Sequence, residues 1–191
     1  MSTDSFGSAV SACVAALDKL GLPYAIIGGV AVISYGVARA TADVDATIPG
    51  ESLDLDALLS TLEQSGFQRR LPDAAAFARQ AHVLLLRHRE SQVPIDLTLA
   101  WLPFELDMLR SVEHRDFAGV SIPVPSVTDL LIMKLVAHRP KDLGDAEFLV
   151  RAQTVDLIRV RRVLSEFCTL LEDDERLSTL DRLEATRAGN F

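Results

Sequence analysis

The stretch spanning residues 24–49 constrains this chain most. It reads Y-A-I-I-G-G-V-A-V-I-S-Y-G-V-A-R-A-T-A-D-V-D-A-T-I-P. A short apolar run, introduced by Pro23, ends in Gly28-Gly29. That pattern predicts a buried strand over 24–27, and residues 30–35 suit a short helix or a strand, with helix favoured because Gly28-Gly29 gives a tight strand-to-helix turn and Gly36 a stop. A second apolar run carries Asp43 and Asp45 and ends at Pro49-Gly50, predicting a strand over 43–48. Side chains two apart on a strand share a face, so the two carboxylates stand side by side. Paired carboxylates with a glycine turn nearby in sequence are parts of a metal and phosphate site.

The rest of the chain is read for what it adds. Its 191 residues suit one domain, or one domain with a helical appendage, and 49% apolar residues suffice for a packed core. A net charge of −8 argues against a surface built for bulk nucleic-acid binding, although it leaves room for a local basic cleft. Cys13 and Cys168 have neither redox nor zinc spacing and read as buried thiols in a reducing compartment. The first twenty residues lack a basic segment of the signal-peptide type, and no apolar run reaches membrane-span length. A soluble, cytoplasmic protein without membrane partners is the expectation.

Periodicity predicts a first helix over 5–20, capped by Ser5 or Ser8 and stopped by Gly21. An amphipathic helix follows over 53–65, then a short strand over 67–71. Residues 72–81 are alanine-rich and compatible with helix. Strands over 83–88 and 94–100 flank a polar turn and read as a hairpin, and Asp96 lies within the second. A helix beginning at Pro103 and a small hairpin over 114–117 and 120–124 come next. Beyond Pro125 only helices are expected, over 127–138, 145–153, 155–171 and 177–187, with a charged turn at 139–144 and fraying from 188 onward.

Asp96 sits between Ile95 and Leu97. A carboxylate inside an apolar strand is costly unless it is paired, hydrogen-bonded or metal-bound. If its strand neighbours that of Asp43 and Asp45, three carboxylates converge. Oxygen-only ligands select a hard cation, Mg²⁺ or Mn²⁺. Gly28 and Gly29 can present backbone N–H groups to phosphate. Arg39 can fork onto a phosphate or pair with a carboxylate, and Thr41 can face the side of Asp43. The motif is neither G-x-G-x-x-G nor a P-loop, which excludes a dinucleotide fold and a kinase-type loop. Each feature also has a plain reading. The aspartates can face solvent, the glycines can make an empty turn, and Arg159, Arg161 and Arg162 can form a solvated helix face. His82, His88, His114 and His138 form no ligand spacing.

Together, G-G-x-A followed by a glycine and R-x-T-x-D-x-D resemble the nucleotidyltransferase superfamily with the DNA-polymerase-β-type fold. Within it the chain resembles the AbiEii/AbiGii toxin-like group of abortive-infection and toxin–antitoxin systems. Ser126-Val127-Thr128-Asp129-Leu130 followed by Lys134 resembles that group's S-x-x-D-L helix with its lysine. Arg139-Pro140-Lys141-Asp142-Leu143-Gly144-Asp145 resembles its R-x-K-D-x-x-D segment. The likeness spans roughly residues 22–150.

The resemblance implies an α/β (α+β) fold. A small mixed β-sheet nucleotidyltransferase core, residues 1–125, would be flanked by helices, with a C-terminal helical extension over 126–191 packed with it. It implies that Gly28, Gly29, Arg39, Thr41, Lys134, Asp142 and Asp145 contact the nucleotide. Asp43 and Asp45 would hold Mg²⁺ or Mn²⁺, and Asp96 would be the third carboxylate, serving as base or metal bridge. Many relatives have Gly-Ser where this chain has Gly-Gly, so a backbone contact replaces a hydroxyl. The implied reaction moves a nucleoside monophosphate from an NTP to an acceptor hydroxyl on tRNA, protein or a small molecule, with an antitoxin as a partner. A non-catalytic nucleotide-binding member, a glycosyltransferase using the D-x-D, and a structural protein are the rivals. In the plain reading of the later motifs, Lys134 snorkels to the surface and Asp142 and Asp145 are helix N-terminal acids.

Overall fold

The computed structural model describes residues 3–188. Helix α1 (Thr3–Leu20) leads into β1 (Ala25–Ile27), α2 (Gly28–Ser34) and β2 (Val44–Pro49). Then come α3 (Leu55–Gln64), β3 (Phe67–Arg69), α4 (Ala74–Ala81), β4 (Val83–His88) and β5 (Pro94–Ala100). Helix α5 (Pro103–Leu109) precedes the hairpin β6 (Glu113–Phe117) and β7 (Val120–Val124). Four helices close the described chain: α6 (Val127–Ala137), α7 (Pro140–Ala152), α8 (Leu157–Leu171) and α9 (Glu175–Ala188).

Five strands form one sheet in the order β1-β2-β5-β4-β3. Only the β2–β5 pair is parallel, and the other neighbours are antiparallel. The expected mixed α+β architecture is therefore present. Its physical basis is strand alternation. Val44, Ala46 and Ile48 on β2, Ile95, Leu97 and Leu99 on β5, and Leu84 and Leu86 on β4 are buried. The intervening residues of these strands are mostly half-exposed. Cys13, Ala16 and Leu17 of α1 and Leu62 of α3 line one apolar pocket with Phe67, Leu86, Ile95 and Leu97, so both helices cover the apolar sheet face. The other face is left to carry polar chemistry. Burial pushes the Cys13 thiol up to about 12, which fits an inert structural cysteine.

The chain divides into two compact units, one comprising Met1–Ser34 and Ala38–Val124, the other Tyr35–Val37 and Pro125–Phe191. In the first, the β6–β7 hairpin packs beside β1 and α2. In the second, Tyr35 donates from its hydroxyl to the Pro125 carbonyl at 2.7 Å, and Gln153 Nε2 donates to the Tyr35 carbonyl at 3.0 Å. The short segment at 35–37 is thus tied to the helical unit although it follows α2 directly.

Several local expectations change. Helix α1 begins at Thr3, upstream of Ser5 and Ser8, so neither serine caps it. Helix α2 starts directly at Gly28, and Asp43 stands just before β2. Residues 139–144 are not a turn: Arg139 is the N-cap of α7, and Pro140 opens that helix because its fixed φ and missing N–H suit the first turn. The expected fraying lies partly in residues 189–191, outside the described residues. Among the described residues no helix is long and apolar enough to cross a membrane.

Candidate active site

The site begins where β1 turns into α2. Gly28 has a φ of +63°, and a Cβ there would collide with the carboxylate of Asp45. A Cβ on Gly29 would collide with the hydroxyl of Thr41. The glycine pair therefore permits the turn backbone to lie directly against Thr41 and Asp45. Gly28→Ala is expected to cost about 1–3 kcal/mol, combining the left-handed backbone with the collision. Urea denaturation checks this, and an unchanged midpoint would show room in the turn.

Thr41 Oγ1 donates to Asp43 Oδ1 at 3.0 Å and lies 3.3 Å from the Asp43 carbonyl. This orients the first carboxylate, as the threonine's position two residues earlier suggests. Asp45 is the Cα partner of Asp96 across the parallel β2–β5 pair. The strand adjacency that sequence could only state conditionally is present: Asp96's strand lies beside that of Asp45. All three aspartates are half-exposed. Arg39 is half-exposed too, its Nε donating to the neighbouring Ala40 carbonyl at 3.2 Å.

Asp96 brings a partner that the sequence did not signal. Arg70 Nη1 donates to Asp96 Oδ1 at 2.9 Å. The sheet explains the meeting. The Arg70 backbone N–H donates to the Leu85 carbonyl, and Leu85 is the Cα partner of Asp96 on the neighbouring strand. Arg70 follows β3 as the second of two adjacent arginines, and nothing local distinguishes it from Arg69, which pairs with Glu63 instead. Burial pushes the Asp96 carboxyl up, the Arg70 guanidinium draws it down, and the charge of Asp43 pushes it up again; the balance is a raised pKa. The influence of Asp43 on Asp96 marks these carboxylates as electrostatic neighbours.

The donor set is all oxygen, which suits Mg²⁺ or Mn²⁺. Among the described residues no group of three or more His, Cys, Asp and Glu side chains stands ready to enclose a metal. The three aspartates therefore do not form a closed cage. Mg²⁺ takes one or two carboxylates and completes its shell with water and substrate phosphate, so the oxygen donors of Asp43 and Asp45 beside the glycine turn suit such an ion.

The later motifs assemble in the helical unit. Ser126 caps α6: the Asp129 backbone N–H donates to its hydroxyl at 3.2 Å, and that hydroxyl donates to Asp129 Oδ2 at 2.8 Å. The S-x-x-D spacing thus acts as a capping device. Asp129, 2% exposed, also receives Arg159 Nη2 at 2.8 Å. Lys134 does not snorkel. Its ammonium is buried 3.0 Å from Asp142 Oδ1 and 2.9 Å from Asp145 Oδ2, because the first turns of α7 present both acids to it. Arg139 adds a further ion pair to Asp142. Arg161 pairs with Asp181 and Glu184, so two of the three clustered arginines of α8 hold acidic partners.

A family model described as "Nucleotidyltransferase of unknown function (DUF6036)" matches residues 10–186. The chain belongs to this nucleotidyltransferase family. Solved structures with the same fold agree in overall chain path. ANT(2")-Ia in complex with adenylyl-2"-tobramycin is 17% identical, with a TM-score of 0.53 over 97% of this chain and 99% of that one. An antigenic nucleotidyltransferase-like protein from Paracoccidioides brasiliensis is 17% identical, with a TM-score of 0.55 over 95% of this chain and 94% of its own. JHP933 from Helicobacter pylori is 13% identical, with a TM-score of 0.50 over 98% and 92%. No curated protein matches the chain in sequence. The superfamily expected from the R-x-T-x-D-x-D pattern is therefore the right one, and the narrower AbiEii-like placement stays a proposal.

Proposed function

We propose that this nucleotidyltransferase moves a nucleoside monophosphate from an NTP to an acceptor hydroxyl. The acceptor oxygen forms a bond to the α-phosphorus, the bond to pyrophosphate breaks, and the hydroxyl proton passes to Asp96. The observation that carries this reading is the register pairing of Asp45 with Asp96 beside a glycine turn that accepts no side chain. Gly28 and Gly29 offer backbone N–H groups to the phosphates, Arg39 adds a guanidinium to that end, and Thr41 fixes the rotamer of Asp43. Asp43 and Asp45 hold Mg²⁺ or Mn²⁺, which when bound neutralises the phosphate charge and polarises the reacting phosphoryl group. The raised pKa of Asp96 suits a proton acceptor. Lys134, Asp142 and Asp145 enter this reading as the scaffold of the helical unit, since their charges are spent on one another.

Asp96→Asn is expected to remove transfer while sparing NTP binding. Transfer of label from NTP with Mg²⁺, alongside calorimetry with a nonhydrolysable NTP, checks both halves; unchanged turnover would assign the base elsewhere. The net charge of −8 favours a small or cationic acceptor over long RNA. ANT(2")-Ia, whose complex holds adenylyl-2"-tobramycin, sets the precedent for a small-molecule acceptor on this fold. A toxin with a cognate antitoxin is the cellular setting that the AbiEii-like motifs support. Growth arrest on expression, absent in an Asp43→Ala/Asp45→Ala variant, is its expected signature.

One observation favours a second reading. Arg70 occupies the carboxylate needed as base, as it would in a non-catalytic nucleotide-binding member. Nucleotide binding without transfer to any acceptor class would select that reading.

A further inference from the structure

The C-terminal ends of β2 and β5 carry a pocket that the reaction proposed above does not use. The buried side chains of Leu55 on α3, Ala78 on α4 and Leu99 on β5 form its apolar floor, and the exposed Arg79 and His82 form its rim. Its volume is about 260 Å³, at the small end of ligand pockets. Leu99 lies three residues beyond Asp96 on the same strand, so the two side chains take opposite faces of the sheet. The pocket is therefore distinct from the carboxylate site.

Two aromatic rings meet at its rim. The His82 imidazole stacks on the Trp101 indole, with ring centroids 5.1 Å apart and planes inclined by 26°. Trp101 remains 55% exposed, so the indole keeps surface for a further partner. Neither ring stands on a loose segment. His82 caps α4 in the left-handed region, its N–H donating to the Ala78 carbonyl at 2.9 Å and its carbonyl receiving the Leu99 N–H at 2.8 Å. The Trp101 and Leu102 N–H groups both donate to Glu105 Oε2, at 3.1 and 3.2 Å. The pair is thus a ledge set in place before any ligand arrives. Arg79, three residues before His82, is its neighbour at the end of α4 and supplies charge. The ion pair of Arg79 with Asp56 is 3.6 Å long, beyond hydrogen-bond reach, and the two side chains are 59% and 78% exposed. Exposed pairs of this kind contribute little, so a ligand anion can displace Asp56. No acidic side chain is among the residues that line the pocket.

We propose that this pocket is a second small-molecule site, which takes a planar aromatic ring carrying an anionic group, as in a nucleoside monophosphate or an aromatic carboxylate. The ring stacks with the His82–Trp101 pair over the apolar floor, and the anion meets the Arg79 guanidinium. The site stands independently of metal binding and of nucleotidyl transfer.

Trp101 is the single tryptophan of the chain, so its fluorescence reports on the ledge directly. AMP and benzoate are titrated separately into the whole protein, without divalent metal and at constant ionic strength. Saturable quenching is expected with at least one of them: AMP alone assigns a nucleotide, benzoate alone an aromatic acid, and both the shared chemistry. No saturable change with either overturns the proposal. Arg79→Gln should weaken the binding about tenfold, the loss of one charge-assisted contact. Adenosine, which has the ring without the anion, should likewise bind about tenfold more weakly than AMP. Unchanged affinity in Arg79→Gln, or adenosine equal to AMP, overturns the role given to the anion and with it the proposal. Asp43→Asn/Asp45→Asn should quench as the unaltered protein does; loss of the response there would place the ligand at the carboxylate site and overturn the second site. The indole N–H resonance of Trp101 in the unaltered protein gives an independent reading. It should shift with the same saturation curve, and a resonance that never moves overturns the proposal.

Discussion

Asp45→Asn is expected to abolish nucleotidyl transfer, by about 10²–10³-fold or more, while leaving the protein folded. The size follows from removing a charge that stabilises the reacting phosphoryl group in a pre-organised site. The fold is spared for a geometric reason. Asparagine occupies the aspartate's volume, so the glycine turn packed on this side chain keeps its contact, which a larger residue would break. The face also loses one of its three like charges, which offsets part of any lost hydrogen bonding. The melting temperature should therefore stay within about 4 °C of the unaltered protein, the range that roughly 1 kcal/mol commands in a domain of this size. Labelled-NTP transfer with Mg²⁺ and calorimetry in parallel measure both quantities. Full turnover in Asp45→Asn would remove the carboxylate pair from the mechanism.

Lys134→Met is expected to have the opposite profile, a large loss of stability of about 3–5 kcal/mol. Methionine matches the length of the lysine stem, so packing along α6 is largely kept. What is lost is the ammonium between Asp142 and Asp145, whose side chains are 0% and 5% exposed. Breaking a buried pair from one side strands the remaining charge, and here two carboxylates are affected. Burial pushes the Asp142 carboxyl up, but hydrogen bonds from Arg139 and Lys134 outweigh it and hold the group below the usual carboxylate range. An acid whose folded pKa is depressed contributes stability above its unfolded pKa and loses it as pH falls through the folded value. Stability of the unaltered protein from this group should thus decline below the ordinary aspartate range. In Lys134→Met the deficit should shrink on acidification, because protonation discharges the stranded carboxylates. Chemical denaturation across pH checks this. A deficit independent of pH would mean that packing, not charge, is what lysine contributes.

Much of the fold could be read locally. The hairpins at 83–100 and 113–124 follow from alternation around short turns, and α3 from leucines at helical spacing. The turn expected at 139–144 fails because charge density imitates a loop. Pro140 at the first helical position, with acids in the next turn, is equally a helix start, and the buried lysine of α6 explains why those acids are there. Lys134 illustrates the same limit: in an apolar helix a lone lysine reads as a surface residue until its partners on another helix are known.

By itself the sequence determined the glycine turn after β1, the start of α6 at Ser126 and the nucleotidyltransferase superfamily. These depend on residues within a few positions of one another, where strand and helix periods dictate geometry. Only the tertiary structure decided that Asp96 pairs with Asp45, that Arg70 holds Asp96, and that Lys134 is enclosed by Asp142 and Asp145. Sheet register between distant strands and packing between helices depend on which apolar faces meet across the fold, and side-chain periodicity carries no record of the partner.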